Sequence, residues 1–184
     1  SVSDKIDHFE INYEVSYENF TNTFERSPTI TISGDTDLVL VSETSLGKLM
    51  CEFLDIRHRL GDLNLGYSEI EDVEEQCFSE RLQNIYHGLS LQGNKLKFIK
   101  KGTFRNINVQ FLSLQGNLIT TIENDAFVNL SYLESLVIAE NQLYVLNPNA
   151  VVWTPKLTNL DVSMNYITSL VENQFAFLMS KNLI

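Results

Sequence analysis

Three histidines, two cysteines and a surplus of carboxylates are the residues of this chain that could do covalent or acid–base chemistry. His8, His58 and His87 are scattered, and none stands with a Ser or Cys partner at the spacing of a nucleophile–base pair. They read as surface or turn residues. Glu69, Glu71, Asp72, Glu74 and Glu75 are crowded into one run, which suits a solvated edge better than a pair of carboxyls facing across a pocket. No C-x-x-C, H-E-x-x-H or glycine-rich phosphate loop occurs, so no metal, cofactor or catalytic residue is expected and the chain does not read as an enzyme. What remains is asparagine chemistry. Asn19-Phe20-Thr21 and Asn129-Leu130-Ser131 are N-glycosylation acceptor sequences. Asn94, Asn117, Asn141 and Asn165 recur at a nearly constant interval, the first step one position shorter than the two that follow.

Those four asparagines sit in four copies of one phrase. Leu89-Ser90-Leu91-Gln92-Gly93-Asn94-Lys95-Leu96 is echoed by Leu112 to Ile119, by Leu136 to Leu143 and by Leu160 to Ile167. This is the leucine-rich repeat pattern, L-x-x-L-x-L-x-x-N-x-L. The alternation of Leu89 and Leu91 about Ser90 has the two-residue period of a strand, with both leucines on one side. Each asparagine amide can satisfy backbone groups that the following turn buries, so stacked asparagines should form a ladder. Leu96 and Ile99 return to the core. Phe104 stands ten residues after Asn94 and closes the outer side, as do Phe127, Val151 and Phe175 in the next coils; Ile107, Leu130, Thr154 and Leu178 finish those turns. No coil can bury its leucines alone, so the coils must stack. The expected fold is an α/β solenoid, a right-handed coil with a parallel concave sheet and an N-terminal β-hairpin cap.

The expected organisation is a cap over residues 1–35, about six turns over 36–178, and the start of a further turn over 179–184. In the cap, Phe9, Ile11, Tyr13, Val15 and Tyr17 alternate with polar residues as a half-buried strand, and Thr29-Ile30-Thr31-Ile32 is a second. Together they read as a hairpin covering the first open face of the coil. In the first degenerate turn Val39 and Val41 take the core-facing places and Thr44 that of asparagine; a register using Leu38 and Leu40 is nearly as good. The next turn has Leu60, Leu63, Leu65, Ser68 in the asparagine place, Ile70, Val73 and Phe78. Its acidic run is answered one coil later by Lys95, Lys97, Lys100, Lys101 and Arg105. Cys51 and Cys77 are separated by close to one coil of chain. Coils about 4.8 Å apart at the strands are within reach of a disulfide, so a Cys51–Cys77 bond is expected, although two buried thiols remain the other reading.

A net charge of −11 over 184 residues argues against nucleic acid and against an anionic membrane surface. A start at Ser1 rather than Met reads as a processed or excised start, and the absence of a cysteine-rich C-terminal cap reads as truncation or as a docked open end. The repeats resemble the 24-residue type of animal extracellular leucine-rich repeat proteins, including Toll-like receptor ectodomains; Gly102-Thr103-Phe104 and Asp125-Ala126-Phe127 carry that likeness. The N-terminal segments, with Leu63-Asn64-Leu65 and Ile70-Glu71-Asp72-Val73, resemble insect secreted leucine-rich immune proteins. The resemblance implies a secreted protein or an ectodomain that recognises another protein, in an innate-immune role. The concave face or the edge of the coil is the expected contact surface, with Asn64, Ser90, Gln92, Phe111, Ser113, Gln115, Val137, Asn159 and Asp161 pointing outward on the concave face and Phe111 the conspicuous apolar residue. The alternative is an adhesion or matrix-type protein that self-associates as a homo-oligomer.

Overall fold

The computed structural model describes residues 9–15, 26–32, 36–40, 47–49, 54–56, 59–74 and 76–168. In chain order the strands begin with β1 (Phe9–Val15), β2 (Arg26–Ile32), β3 (Thr36–Leu40), β4 (Lys48–Leu49) and β5 (Leu54–Ile56). Then come β6 (Leu60–Asn64), β7 (Asp72–Val73), the single described helix α1 (Cys77–Arg81), β8 (Ile85–Ser90), β9 (Phe98–Ile99) and β10 (Phe104–Arg105). The chain continues through β11 (Phe111–Ser113), β12 (Thr121–Ile122), β13 (Phe127–Val128), β14 (Ser135–Val137), β15 (Val151–Val152) and β16 (Asn159–Asp161).

A six-stranded sheet, in the order β16-β14-β11-β8-β6-β3, is the spine of the coil. Every neighbouring pair in it is parallel, and like residues of successive repeats sit opposite one another: Leu89, Leu112, Leu136 and Leu160 form one row. The row exists because each repeat carries the chain once around and returns it to its starting place. Leu89, Leu91, Leu112, Leu114, Leu136 and Ile138 are wholly buried, while Leu160 and Val162 are partly buried against the same core. β3 pairs with β6 so that Val39 lies opposite Leu63, with Leu38 and Leu40 opposite the outward Asp62 and Asn64.

The outer side of the coil carries little helix. Among the described residues only α1 is helical there; the later coils cross in short strands, with Phe104 opposite Phe127 and Phe127 opposite Val151. A residue in the left-handed region stands before β10 and β13 (Gly102, φ 71°, and Asp125, φ 56°), and another follows β10, β13 and β15 (Asn106, Asn129 and Trp153, φ 56–58°). Such sharp bends leave too few residues for an i to i+4 ladder. Phe78, Phe104 and Phe127 are fully buried and stack face to face, with centroids 5.1 and 5.2 Å apart and planes 10° and 4° from parallel. This column sets the thickness of the coil.

The hairpin of β1 and β2 is antiparallel, with Phe9 opposite Ile32 and Val15 opposite Arg26. β2 in turn joins β5 in parallel, Ile30 opposite Leu54. Ile30, Leu54 and Phe78 are evenly spaced along the chain, at the interval that separates Asn117 from Asn141. The hairpin therefore forms its own three-stranded sheet with β5, separate from the outer sheet of β10, β13 and β15, while its pairing keeps the period that runs through the repeats.

The corner between strand and return segment is held by asparagine. Asn94 accepts hydrogen bonds from Ser68 N and Ile70 N, both 3.0 Å, and donates to Leu65 O and Leu91 O, both 2.9 Å. Asn117 accepts from Leu96 N at 3.2 Å and donates to Leu91 O and Leu114 O at 2.9 Å. Asn141 takes Ile119 N and gives to Leu114 O and Ile138 O; Asn165 takes Leu143 N and gives to Ile138 O and Val162 O. Each amide joins its own coil to the one before. The residue ahead of each is left-handed, as is the one ahead of Ser68: Tyr67, Gly93, Gly116, Glu140 and Met164 all have φ between 52° and 67°. Asn19, Cys51, His8, His58, Thr44, Phe175 and the expected turn over 179–184 lie outside the described residues.

Candidate protein-recognition surface

The outward positions of the six-stranded sheet form rows across the coils. The middle row is Asn64, Ser90, Ser113, Val137 and Asp161. Four of these cap their own strand. Asn64 Oδ1 accepts from Gly66 N at 2.8 Å, Ser90 and Ser113 Oγ accept from Gln92 N and Gln115 N at 3.4 Å, and Asp161 Oδ1 accepts from Ser163 N at 2.9 Å. The short side chains that make these local bonds leave a low floor: Ser113 is only 3% exposed and the neighbouring Ala139 4%. Only Val137 breaks the pattern, because an isopropyl group cannot accept.

The next row, towards the asparagine corner, is polar and bridges coils. Gln92 Nε2 donates to the Tyr67 hydroxyl at 3.1 Å, and Gln115 Nε2 donates to Glu140 Oε1 at 2.7 Å. Tyr67 lies over Gly93, where a Cβ would collide with its ring. The opposite margin holds Phe111, 38% exposed, and Asn159, whose amide donates to Ser135 Oγ at 2.9 Å.

Beside Phe111 the structure brings together two residues that the sequence does not mark as partners. His87 Nδ1 lies 2.8 and 2.9 Å from the two oxygens of Asp62. A register shift between Leu60 and Asp62 makes this possible, since Leu60 faces Ile85 but Asp62 faces Gly88. Gly88 gives the carboxylate room, for a Cβ there would strike Asp62 Oδ1 and touch the Phe111 ring. The patch thus combines an ion-pairing group, an imidazole and an aromatic edge. It has no third ligand: among the described residues no group of three His, Cys, Asp or Glu could hold a metal ion.

The charged edge is paired across coils. Lys95 Nζ meets Glu69 Oε1 at 2.8 Å, Lys100 Nζ meets Asp72 Oδ1 at 2.8 Å, and Lys101 Nζ meets Asp125 Oδ2 at 3.1 Å. The bond from Glu69 raises the Lys95 ammonium above the ordinary lysine value, with Glu71 adding a smaller attraction. All of these side chains are well exposed, so solvent screens each pair and the edge adds little to stability. Cys77 is buried at the start of α1; the expected bond to Cys51 involves a residue outside the described set. Asn129 is exposed at the end of β13, and no described helix is long and apolar enough to cross a membrane.

Comparison with known proteins agrees with this geometry. The leucine rich repeat family matches residues 87–143 and 107–167. Mimecan from Bos taurus is 43% identical over 77 residues, covering 41% of this chain and 24% of mimecan. Podocan from Mus musculus is 28% identical over 115 residues, covering 61% of this chain and 18% of podocan. The protein named transforming growth factor beta activator LRRC32 from Pongo abelii is 36% identical over 87 residues, covering 42% of this chain and 13% of that protein. The aligned part is a quarter or less of each relative's length. Repeat spacing, parallel sheet and family match agree that residues 87–167 are leucine-rich repeats.

Proposed function

We propose that this chain is an extracellular protein-recognition module that meets a protein partner across its concave sheet. One observation carries the reading: a low floor of self-satisfied side chains is flanked by Phe111, with the Asp62–His87 pair beside it. A low floor lets a partner's backbone approach closely. A partly exposed aromatic ring next to charged groups is the composition of an interface anchor. The similarity to a protein named as a growth-factor activator makes a folded, secreted signalling protein the first partner class to try. The innate-immune setting is supported by the likeness of Leu63-Asn64-Leu65 and the segment after it to insect immune proteins.

A second reading, a matrix-type protein that binds copies of itself, is supported by the similarity to mimecan and podocan. Capture from extracellular fluid on immobilised chain separates the two. Recovery of a distinct protein, reduced at least tenfold by Phe111→Ala with stability unchanged, is the expected result. Recovery of the chain alone, with concentration-dependent light scattering, favours the second reading and counts against the first.

A further inference from the structure

The convex side carries a position that repeats as strictly as the asparagine corner. Asn106, Asn129 and Trp153 each follow an outer strand, and the register of β10, β13 and β15 puts them on three successive coils. Asn106 N donates to Val128 O at 3.1 Å and Asn129 N to Val152 O at 3.0 Å, which fixes the three neighbours side by side. All three are left-handed, with φ of 56°, 57° and 58°. Asparagine tolerates that conformation, whereas an indole gains nothing from it. Trp153 is nonetheless 77% exposed, and it is the single tryptophan of the chain. An aromatic surface of that size left in water, one coil from the asparagine of Asn129-Leu130-Ser131, invites a partner that is neither core nor solvent.

We infer that Asn129 is an N-glycosylation site and that its first sugar rests on the Trp153 indole. The site is open: Asn129 and Ser131 are exposed, while Leu130 between them is buried. Asn129 Nδ2 donates one hydrogen to Asn106 Oδ1 at 2.8 Å; among the described residues the other has no acceptor. That second hydrogen is the one replaced. A bond forms between Nδ2 and C1 of the reducing-end N-acetylglucosamine of a lipid-pyrophosphate-linked oligosaccharide. The C1–O bond to the pyrophosphate breaks, the pyrophosphate leaves with the electron pair, and Nδ2 loses one proton. Because Leu130 is sequestered in the folded coil, transfer occurs on the extended nascent chain. Once the coil closes, the bond to Asn106 holds the linkage on one side. On the other, the apolar C–H face of the pyranose covers the indole, whose electron-rich face attracts polarised C–H bonds. The glycan then shields the side of the coil opposite the six-stranded sheet and leaves the concave face as the bare surface. This inference rests on the extracellular reading given above.

The test expresses the full chain behind a secretion leader in a glycosylating eukaryotic host, with Ser131→Ala as the matched variant. That variant removes the acceptor sequence but keeps Asn129 and its bond to Asn106. Peptide mass spectrometry of secreted and intracellular chain should find a peptide-N-glycosidase-sensitive glycan on Asn129, lost in Ser131→Ala. Emission from the single tryptophan should lie further to the blue, and be quenched less steeply by acrylamide, in the glycosylated chain than in Ser131→Ala. A chain whose Asn129 stays bare in that host overturns the site. A glycan on Asn129 whose enzymatic removal leaves emission and quenching unchanged overturns its packing on Trp153. Failure of the recognition reading shows separately, as a glycosylated chain that captures no partner.

Discussion

Removing the Asn117 amide is the sharpest probe of what holds the coil together. Asn117 is buried and makes three short bonds to backbone groups of two coils, with a fourth, longer one to Gln115 O at 3.5 Å. Replacing it with alanine does not strand all three. Leu91 O still receives Asn94 Nδ2, and Leu114 O still receives Asn141 Nδ2. Leu96 N is the group left bare, at about 1–3 kcal/mol, with a smaller loss at each half-satisfied carbonyl and a small cavity. The sum is about 2–4 kcal/mol, which for a domain of this size lowers Tm by roughly 5–15 °C. Asn94→Ala should cost more, because Asn94 serves two amides, Ser68 N and Ile70 N. Asn165→Ala should cost least of the three, because that amide is only partly buried and water can take its place. Asn117→Asp adds a sign test. It keeps the acceptor for Leu96 N but turns a carboxylate towards two carbonyls, so its folded-state pKa must lie above the unfolded value. Its stability deficit should therefore shrink as pH falls through that raised pKa and be full above it. Urea titration of the four variants at neutral and acid pH reads all of this. An Asn117→Ala chain within about 0.5 kcal/mol of the parent, or an order with Asn165 above Asn94, would refute the ladder as the source of corner stability.

Other outcomes follow from the same geometry. Gly93→Ala should destabilise more than Gly116→Ala: both are left-handed, which costs about 1 kcal/mol for alanine, but only at Gly93 does the new methyl strike the Tyr67 ring. Thermal melts of the pair check this. Phe104→Ala opens the middle of the aromatic column and should cost about 3–5 kcal/mol by denaturant titration, the largest effect among these variants. The raised Lys95 value has a definite sign. A cation stabilised in the folded state contributes fully below its unfolded pKa and loses that contribution as pH rises through the folded one. The difference between the parent and Lys95→Gln should therefore close in strongly alkaline buffer and should shrink with added salt at neutral pH.

Much of the coil was legible because its signal is periodic. The four asparagines fix the corner, the leucines on either side of Ser90 and Ser113 fix the strand direction, and the phenylalanine ten residues on fixes the outer wall. The outer wall's conformation was not legible, because Gly102-Thr103-Phe104 and Asp125-Ala126-Phe127 are short enough for a bend, a strand or a turn of helix, and packing decides. Alternation over residues 9–17 marks a strand without naming its neighbour. The useful clue to the hairpin's place was the even step from Ile30 to Leu54 to Phe78, visible only once the outer positions are counted as a series. The Asp62–His87 pair depends on a register shift inside one strand pair, and no residue type announces such a shift. Concave residues such as Ser90 and Ser113 were legible as outward-pointing, but their local bonds to the backbone two residues on give them a structural task as well.

The direction in which the asparagines reach has a bearing on synthesis. Asn94 finishes the corner begun at Ser68, Asn117 the one at Leu96, Asn141 the one at Ile119 and Asn165 the one at Leu143. A polypeptide leaving the ribosome in that order always trails one incomplete winding, whose amides wait for a residue not yet translated. Growth is thus a ratchet: every newly arrived loop locks its predecessor and is itself provisional until the next.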